Sequence, residues 1–458
     1  MDDTEKKPNF LFLMTDQLRY DFVGYLGADH VNTPNIDSIA NKGHVFTHCL
    51  ACPICVPSRL SLATGIHPLR TGEKIDNEMV LKDNDITYYQ RLRDFNYRVG
   101  CSGKLDLHKK DDYNGRNGDR PLAYKFGFTH PIEIEGKMHA GNKKTPSGPY
   151  GFWLEEKGKY EEFHNDYMVR RKGGWRIGQT HDSVLSNELF ADTYIGQRAV
   201  EWLRELPDDF PWHMFVSFAG PHDPYDPPKK FADKYRNTKM PDAIESDLDE
   251  KPEWVSKRIE KGDVKEIEQL RQQYCASLEA IDVQVGEILQ ALEERGEREN
   301  TYIIFSSDHG DMLGDHKLYH KSCQYEGATR VPLVVSGPNI QPGKSNTLVE
   351  LHDLNPTICE LAGLEPQIGI DAKSLVPYLN GDVNEHRSES VNALYNFKSI
   401  RNKKHKYVNS PCGFEEIYDL EKDVDEKNNI AKENPELCSS LNQKIIEFEN
   451  SGKELVEQ

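Results

Sequence analysis

Three short apolar runs, each ending in a polar cluster, constrain this chain more than any other feature. Asn9-Phe10-Leu11-Phe12-Leu13-Met14 leads into Thr15-Asp16-Gln17. Trp212-His213-Met214-Phe215-Val216-Ser217-Phe218 leads into Ala219-Gly220-Pro221-His222, and Tyr302-Ile303-Ile304-Phe305 into Ser306-Ser307-Asp308-His309-Gly310. Near-continuous apolarity over so few residues is the pattern of strands buried on both faces of a parallel sheet. The residues that follow such strands sit at the carboxyl edge, where open α/β sheets place ligands. Between the runs, residues 35–41, 189–206, 266–295 and 353–362 carry apolar side chains at helical spacing. The alternation predicts a doubly wound α/β fold.

Two regions break the alternation. Residues 109–178 are rich in Gly, Lys, Asp, Tyr and Trp with little periodicity, and read as a long insertion over the active face, since loops carry specificity on a rigid scaffold. Residues 242–265 are highly charged and read as solvent-exposed. Beyond about residue 380 short strand-like pieces at 390–397, 406–409 and 416–418 precede a helix at 435–451. The division expected is a catalytic domain over 1–380 and a small α+β subdomain over 381–458, without internal repeats.

The balance of 57 Lys+Arg against 76 Asp+Glu gives a net charge of −19, which argues against nucleic-acid or anionic-membrane partners. A small anionic substrate stays compatible with it, because a recessed cation and local Lys, Arg and His reverse the field within roughly 8 Å. No apolar run approaches the roughly 20 residues of a membrane-spanning helix. The amino-terminal residues show no secretory signal, so the chain as given reads as cytoplasmic, or as periplasmic or secreted if a signal has been trimmed. The nine cysteines are mostly scattered and do not resemble a disulfide framework.

Asp16, Gln17 and Asp308 offer hard oxygen ligands suited to Ca²⁺ or Mg²⁺, and His309 either joins a mixed site or contacts substrate. The bland alternative is that all four are ordinary polar residues at strand ends. Cys49-x-x-Cys52-x-x-Cys55 has the spacing of zinc or iron–sulfur ligands, but no fourth Cys or His stands at a matching spacing and Pro53 and Pro57 crowd the run.

Cys55-Val56-Pro57-Ser58-Arg59, with Thr64-Gly65 following, resembles the signature of the sulfatase family, the formylglycine-dependent branch of the alkaline phosphatase superfamily. The resemblance extends through Thr15-Asp16-Gln17-Leu18-Arg19, Asn32-Thr33-Pro34-Asn35, Ser102-Gly103-Lys104, Gly220-Pro221-His222-Asp223-Pro224-Tyr225, the run Ser307 to His316 with Lys321, and Asp353-Leu354-Asn355-Pro356-Thr357. It implies an alkaline-phosphatase-like α/β fold, with a large mixed, mostly parallel sheet flanked by helices, and hydrolysis of an organic sulfate monoester to alcohol and sulfate. It further implies that a formylglycine-generating maturation enzyme oxidises Cys55 to 3-oxoalanine, whose hydrate attacks sulfur with one hydroxyl and expels sulfate by collapse of the other. Asp16, Gln17, Asp308 and His309, with the modified Cys55, are then the implied ligands of Ca²⁺, with Mg²⁺ or Mn²⁺ as alternatives. Arg59 is implied to steady the nucleophile and charge, Lys104 and Lys321 to grip sulfate oxygens, and His222 with Lys321 to protonate or stabilise the leaving oxygen.

Two departures stand out. Gln17 replaces the acid of many members and lowers the ligand charge by one. Gly103-Lys104-Leu105-Asp106-Leu107-His108 puts Asp106 where many members have a histidine, which leaves open whether Asp106 or His108 acts there. His316 reads as a residue that orients its loop. The substrate expected is a sulfated carbohydrate, because Tyr150, Trp153, Arg170, Arg171, Trp175 and Arg176 of the insertion are suited to stacking on sugar faces and holding acidic groups. The alternatives are a phosphonate or phosphate ester hydrolase and a binding protein for sulfated ligands that has lost maturation.

Overall fold

The computed structural model describes residues 6–110, 113–172, 180–246, 251–259 and 263–451. Eight strands form one sheet in the order β4-β3-β5-β1-β6-β7-β2-β8. They span Asn9–Asp16 (β1), Gly43–Leu50 (β2), Arg98–Gly103 (β3), His130–Glu133 (β4), Trp212–Pro221 (β5), Thr301–Ser307 (β6), Arg330–Ser336 (β7) and Gly343–Glu350 (β8). Only β7 runs against its neighbours, pairing antiparallel with β6 and β2; the other pairings are parallel.

Successive side chains of β1 enter opposite cores. Leu11 and Leu13 pack with Leu278 and Ile281 of the helix Val264–Glu294, while Phe10, Phe12 and Met14 pack with Leu62 and Ile358 on the other face. Both faces are covered, which is why the run is apolar throughout rather than alternating. Helix Val264–Glu294 starts at a capping box, with Asp263 accepting from the Glu266 N–H and Glu266 returning to the Asp263 N–H. It packs with Ala191–Glu205 and Pro34–Asn41 on one side of the sheet; Cys55–Thr64, Tyr88–Asp94 and Leu354–Leu361 lie on the other.

A second, antiparallel sheet contains Ser390–Leu394 (β9), Phe397–Arg401 (β10), His405–Asn409 (β11) and Glu415–Asp419 (β12), covered by helix Pro435–Ser451. The single strand expected over 390–397 is instead two paired strands, because Tyr395-Asn396 makes a tight turn inside the apolar run. The 109–178 region also differs from expectation. It supplies the edge strand β4 and helices Lys137–Asn142, Pro149–Glu156 and Tyr160–Lys172. Tyr150 is buried against Tyr194 and Trp153, and Arg170 is fully buried on Asp166 and the His181 carbonyl. These side chains hold the region together rather than facing a ligand. Arg171 is exposed, and Trp175 and Arg176 lie outside the described residues. Within 242–265, Lys251 is buried on Tyr418 and Trp254 stacks on Phe397, so this charged stretch is partly docked rather than wholly solvated.

Behind helix Cys55–Thr64, Asn355 donates to the carbonyls of Leu62 (3.2 Å) and Ala63 (2.8 Å), satisfying orphan groups of the last turn. Its neighbour Asp353, fully buried, accepts from Arg387 Nε at 2.8 Å. Burial would push the Asp353 carboxyl up, but Arg387, then His386 and His352, hold it well below the usual range. Glu350, His352 and Asp353 lie close enough to share an ion, yet Arg387 already reaches both acids (3.4 Å to Glu350), which makes the group an ion-pair knot. Truncating one partner of a buried pair strands the other charge, so Arg387→Ala is expected to lose about 3–5 kcal/mol of stability, read from a denaturant midpoint at unchanged m.

Candidate active site

The parallel register sets the site. Thr15 pairs with Ser307 and Asp16 with Pro221, so the residues leaving β1, β5 and β6 emerge side by side. Gly103 pairs with Ser217, which brings Lys104 to the same edge. Gly103 has φ +117°, and a Cβ there would lie 1.9 Å from the Ser217 carbonyl oxygen, so only glycine lets the strand approach this closely. β2 delivers the start of helix Cys55–Thr64, all ten residues of which are buried. Cys55 occupies its first turn, where the helix dipole favours negative charge.

Asp16, Cys55, Asp308 and His309 each offer a ligand atom within 4.8 Å of the others, and all four are buried. His309 Nδ1 lies 3.0 Å from the Gly310 carbonyl, which it serves as donor; this turns Nε2 to Cys55 Sγ (3.2 Å), Asp308 Oδ1 (3.6 Å) and Asp16 Oδ1 (3.7 Å). Asp16 Oδ1 is buried without a hydrogen-bond partner. An orphaned carboxylate oxygen facing a second carboxylate and an imidazole is a setting that a divalent cation fits. Gln17, at φ +72°, donates its backbone N–H to Asp308 Oδ1 (3.1 Å) and its amide to Asp311; its Oε1 accepts from Lys321 Nζ at 2.6 Å.

Cations surround this group. Arg59 donates to Asp308 Oδ2 (2.8 Å), Ser217 Oγ (2.8 Å) and the Lys104 carbonyl (2.7 Å), and its Nη2 lies 3.5 Å from Asp16 Oδ2. Lys104 pairs with Asp16 and, at 3.0 Å, with Asp106. Burial would raise the Asp16 carboxyl, but Lys104, then His222, Lys321 and Arg59, hold it well below the carboxylate range. Burial and Asp16 likewise oppose ionisation of Cys55; Lys104, Lys321 and His309 overcome them and depress the thiol well below its ordinary value. His222 Nδ1 donates to the Asp223 carbonyl at 2.6 Å, and its Nε2 meets Lys321 Nζ.

The family model described as Sulfatase matches residues 8–364. The chain belongs to the sulfatase family. It is accordingly a sulfuric ester hydrolase. A second family model, N-sulphoglucosamine sulphohydrolase, C-terminal, matches residues 314–451. Among curated relatives, an arylsulfatase of Clostridium perfringens is 29% identical over 98% of this chain and 95% of its own. A choline-sulfatase of Rhizobium meliloti is 31% identical over 94% of this chain and 84% of its own. The solved phosphonate monoester hydrolase of Agrobacterium radiobacter shares the fold, with a TM-score of 0.80 at 22% identity, covering 97% of this chain and 96% of the other.

In this sulfatase a cleft of about 560 Å³ opens above Asp16 and Cys55. Lys104, His222 and Lys321 line it, together with residues that the sequence did not single out: Asn77, Lys109, Glu135, Lys137, His139, Asn142, Asp223 and His320. Glu135 accepts from the Gly151 N–H (2.9 Å) and so fixes the start of helix Pro149–Glu156. Lys137 pairs with Asp226 at 2.8 Å. Of the two substitutes weighed for the missing histidine, Asp106 lies beside Lys104, whereas His108 lines a separate small cavity with Leu81, Gln90 and Phe126. Burial works against ionisation of Asp106, but Lys104, Lys109 and Arg59 depress its pKa. His316 stacks on Tyr325 and sits 2.9 Å from Ser246 Oγ, outside the cleft lining; burial, aided by Lys251, holds it down to about 3. The Cys49-x-x-Cys52-x-x-Cys55 run builds no metal centre among the described residues: Cys49 lies buried in β2, Cys52 donates to the Ala393 carbonyl, and Cys55 faces His309. No helix among the described residues is long and apolar enough to cross a membrane.

Proposed function

We propose that this sulfatase removes sulfate from a sulfated carbohydrate, using a formylglycine made from Cys55 by a maturation enzyme. The observation that carries the nucleophile is the placement of Cys55, first residue of a buried helix, against Asp16 Oδ1, Asp308 and His309. A formylglycine there supplies, as its hydrate, a hydroxyl nucleophile with a second hydroxyl to release sulfate. Asp16, Gln17, Asp308 and His309 would hold a divalent cation, Ca²⁺ by the hardness of the oxygen donors, and it supplies Lewis-acid stabilisation of charge. Arg59 orients Asp308 and Asp16. Lys104 and Lys321 take the sulfate oxygens and offset the charge that grows in the transition state. His222 donates from Nδ1 to the Asp223 carbonyl and so offers Nε2 as acceptor to Lys321 Nζ, and the proton that the leaving alcohol receives is held between this pair. Asp106 stays ionised beside Lys104 and positions it; its depressed pKa suits an anchor better than a base.

The carbohydrate reading rests on the cleft wall. The described residues that line it are mostly polar or charged, with Lys104, Lys109, Lys137 and Lys321 among them, and include no Phe, Tyr or Trp to cage a quaternary ammonium group. The match of residues 314–451 to a model named for a sulphoglucosamine hydrolase supports the same class. Matured protein with Ca²⁺ is expected to release inorganic sulfate from p-nitrophenyl sulfate and from at least one defined sulfated monosaccharide. Its kcat/KM for the aryl sulfate should exceed that for a phenylphosphonate ester. A reversed preference would move the chain to the phosphonate class, and turnover of aryl but no sugar sulfate would remove the carbohydrate reading.

A further inference from the structure

His320 lines the cleft next to Lys321, yet none of the roles above uses it. Its backbone sits at φ +63°, in the left-handed region that few residues other than glycine adopt, histidine more readily than most. The segment is strapped down on both sides. The Ser322 N–H donates to the Pro53 carbonyl (2.8 Å), and Arg258 donates to the Ser322 carbonyl (2.6 Å). The ring lies within 7° of parallel to Tyr225, whose hydroxyl is tied to Asp311 at 2.6 Å.

Asp223 joins this imidazole to the acid of the reaction. Its Oδ1 lies 3.1 Å from His320 Nδ1 and 3.2 Å from His222 Nδ1, so one buried carboxylate sits between two imidazoles, although neither contact has hydrogen-bond geometry: His222 Nδ1 donates to the Asp223 carbonyl, and His320 Nδ1 is buried without a hydrogen-bond partner. With Nδ1 turned to Asp223 and the side chain 32% exposed, the Nε2 edge of His320 is the part left to the cleft. A ring nitrogen placed by packing on Tyr225 and by the strapped segment costs little ordering entropy when a substrate hydroxyl arrives.

We propose that His320 is a specificity residue whose Nε2 binds an oxygen substituent on the carbon adjoining the ester-bearing carbon of the leaving alcohol. The inference rests on the reading that sulfate lies between Lys104 and Lys321 with the leaving oxygen at His222, because the second imidazole then falls one substituent further along the alcohol. A sugar ring offers a hydroxyl at that place; a simple aryl sulfate does not.

A minimal pair of esters tests it: phenyl sulfate, and 2-hydroxyphenyl sulfate with its adjacent hydroxyl. Matured enzyme is expected to favour the hydroxylated ester about tenfold in kcat/KM, the size of one well-placed hydrogen bond. His320→Ala should bring the ratio close to one, mostly through KM, and His320→Gln, whose amide reaches the Nε2 position, should recover part of it. Binding of both esters to the Cys55→Ala protein, with and without His320→Ala, reads the same tenfold difference without turnover. No preference in either measurement, a preference that survives His320→Ala, or an equal loss for both esters would overturn the proposal; the last would mean that His320 only supports Asp223. Absence of sulfate release from either ester, with the binding preference intact, would sink the reaction reading and leave the subsite standing.

Discussion

Replacing Cys55 by alanine is expected to lower kcat for sulfate-ester hydrolysis by on the order of 10⁵-fold while leaving the fold in place. The size follows from what is removed. Arg59, Lys104, Lys321 and His222 would still bind and polarise the ester, but no atom would remain to attack sulfur. Groups that act as one unit lose most of their effect with any essential member, and only the residual electrostatic part survives. Stability should barely change, because Cys55 Sγ touches His309 in a polar pocket and its loss opens no apolar cavity. Cys55→Ser separates the two duties of the nucleophile. A serine hydroxyl can displace the alcohol and become a sulfate ester, but it has no second hydroxyl to expel sulfate. One equivalent of alcohol should appear, followed by arrest, with the protein heavier by about 80 Da. The matured wild type should instead be lighter than the encoded chain by about 18 Da. An unshifted mass in protein taken from its native host, with sulfated ligands still bound, would favour the binding-protein alternative. Full turnover by Cys55→Ala would remove the nucleophile altogether.

Local patterns carried as much of this site as they did because its members hang from strands buried on both faces. Such strands betray themselves as short apolar runs, and their next residues must lie at the edge; Asp16, His222, Asp308 and His309 were legible for that reason. Cys55, Arg59, Lys104 and Lys321 came from the family resemblance; the register of β3 on β5 brings Lys104 to those strand ends, while Cys55 and Arg59 arrive on the helix after β2 and Lys321 on the loop between β6 and β7. The hubs were not legible. Asp311 and Asp223 lie inside recognisable runs, but their service to Gln17 depends on partners more than 200 residues away, which no local pattern encodes. The wall built by helix Lys137–Asn142 escaped notice because six residues carry too little periodicity to register. Tyr150 and Arg170 misled for a different reason. An aromatic ring or a guanidinium in polar surroundings serves equally to stack on a ligand or to fill a small core, and only the packing against Tyr194 and Asp166 decides.

Asp308→Asn is expected to cost roughly 10³-fold in turnover and to abolish stabilisation by Ca²⁺, which makes it the sharpest probe of the proposed cation. The substitution keeps the shape of the side chain and changes its hydrogen bonding at both oxygens. Asp308 Oδ2 accepts from Arg59 Nε and Oδ1 accepts from the Gln17 N–H. An asparagine can satisfy only one of these donors, since its amide nitrogen would face the other. Arg59, 2% exposed, would keep its bonds to Ser217 and the Lys104 carbonyl, but its remaining ion pair would be with Asp16 at 3.5 Å, a carboxylate already shared with Lys104. Breaking a buried pair in this way should cost about 3 kcal/mol even without the ion. Calcium should widen the gap, because an ion that binds only the folded state stabilises it by about 2.7 kcal/mol at 100 times its Kd, and the variant would lose that term. Unfolding of both proteins by denaturant, in chelator and in Ca²⁺, measures the two contributions separately. A variant that keeps its calcium-dependent stabilisation would show that the ion is held elsewhere. A wild type that gains nothing from Ca²⁺, Mg²⁺ or Mn²⁺ would mean that the orphaned Asp16 oxygen and its neighbours answer to the surrounding lysines and Arg59 alone.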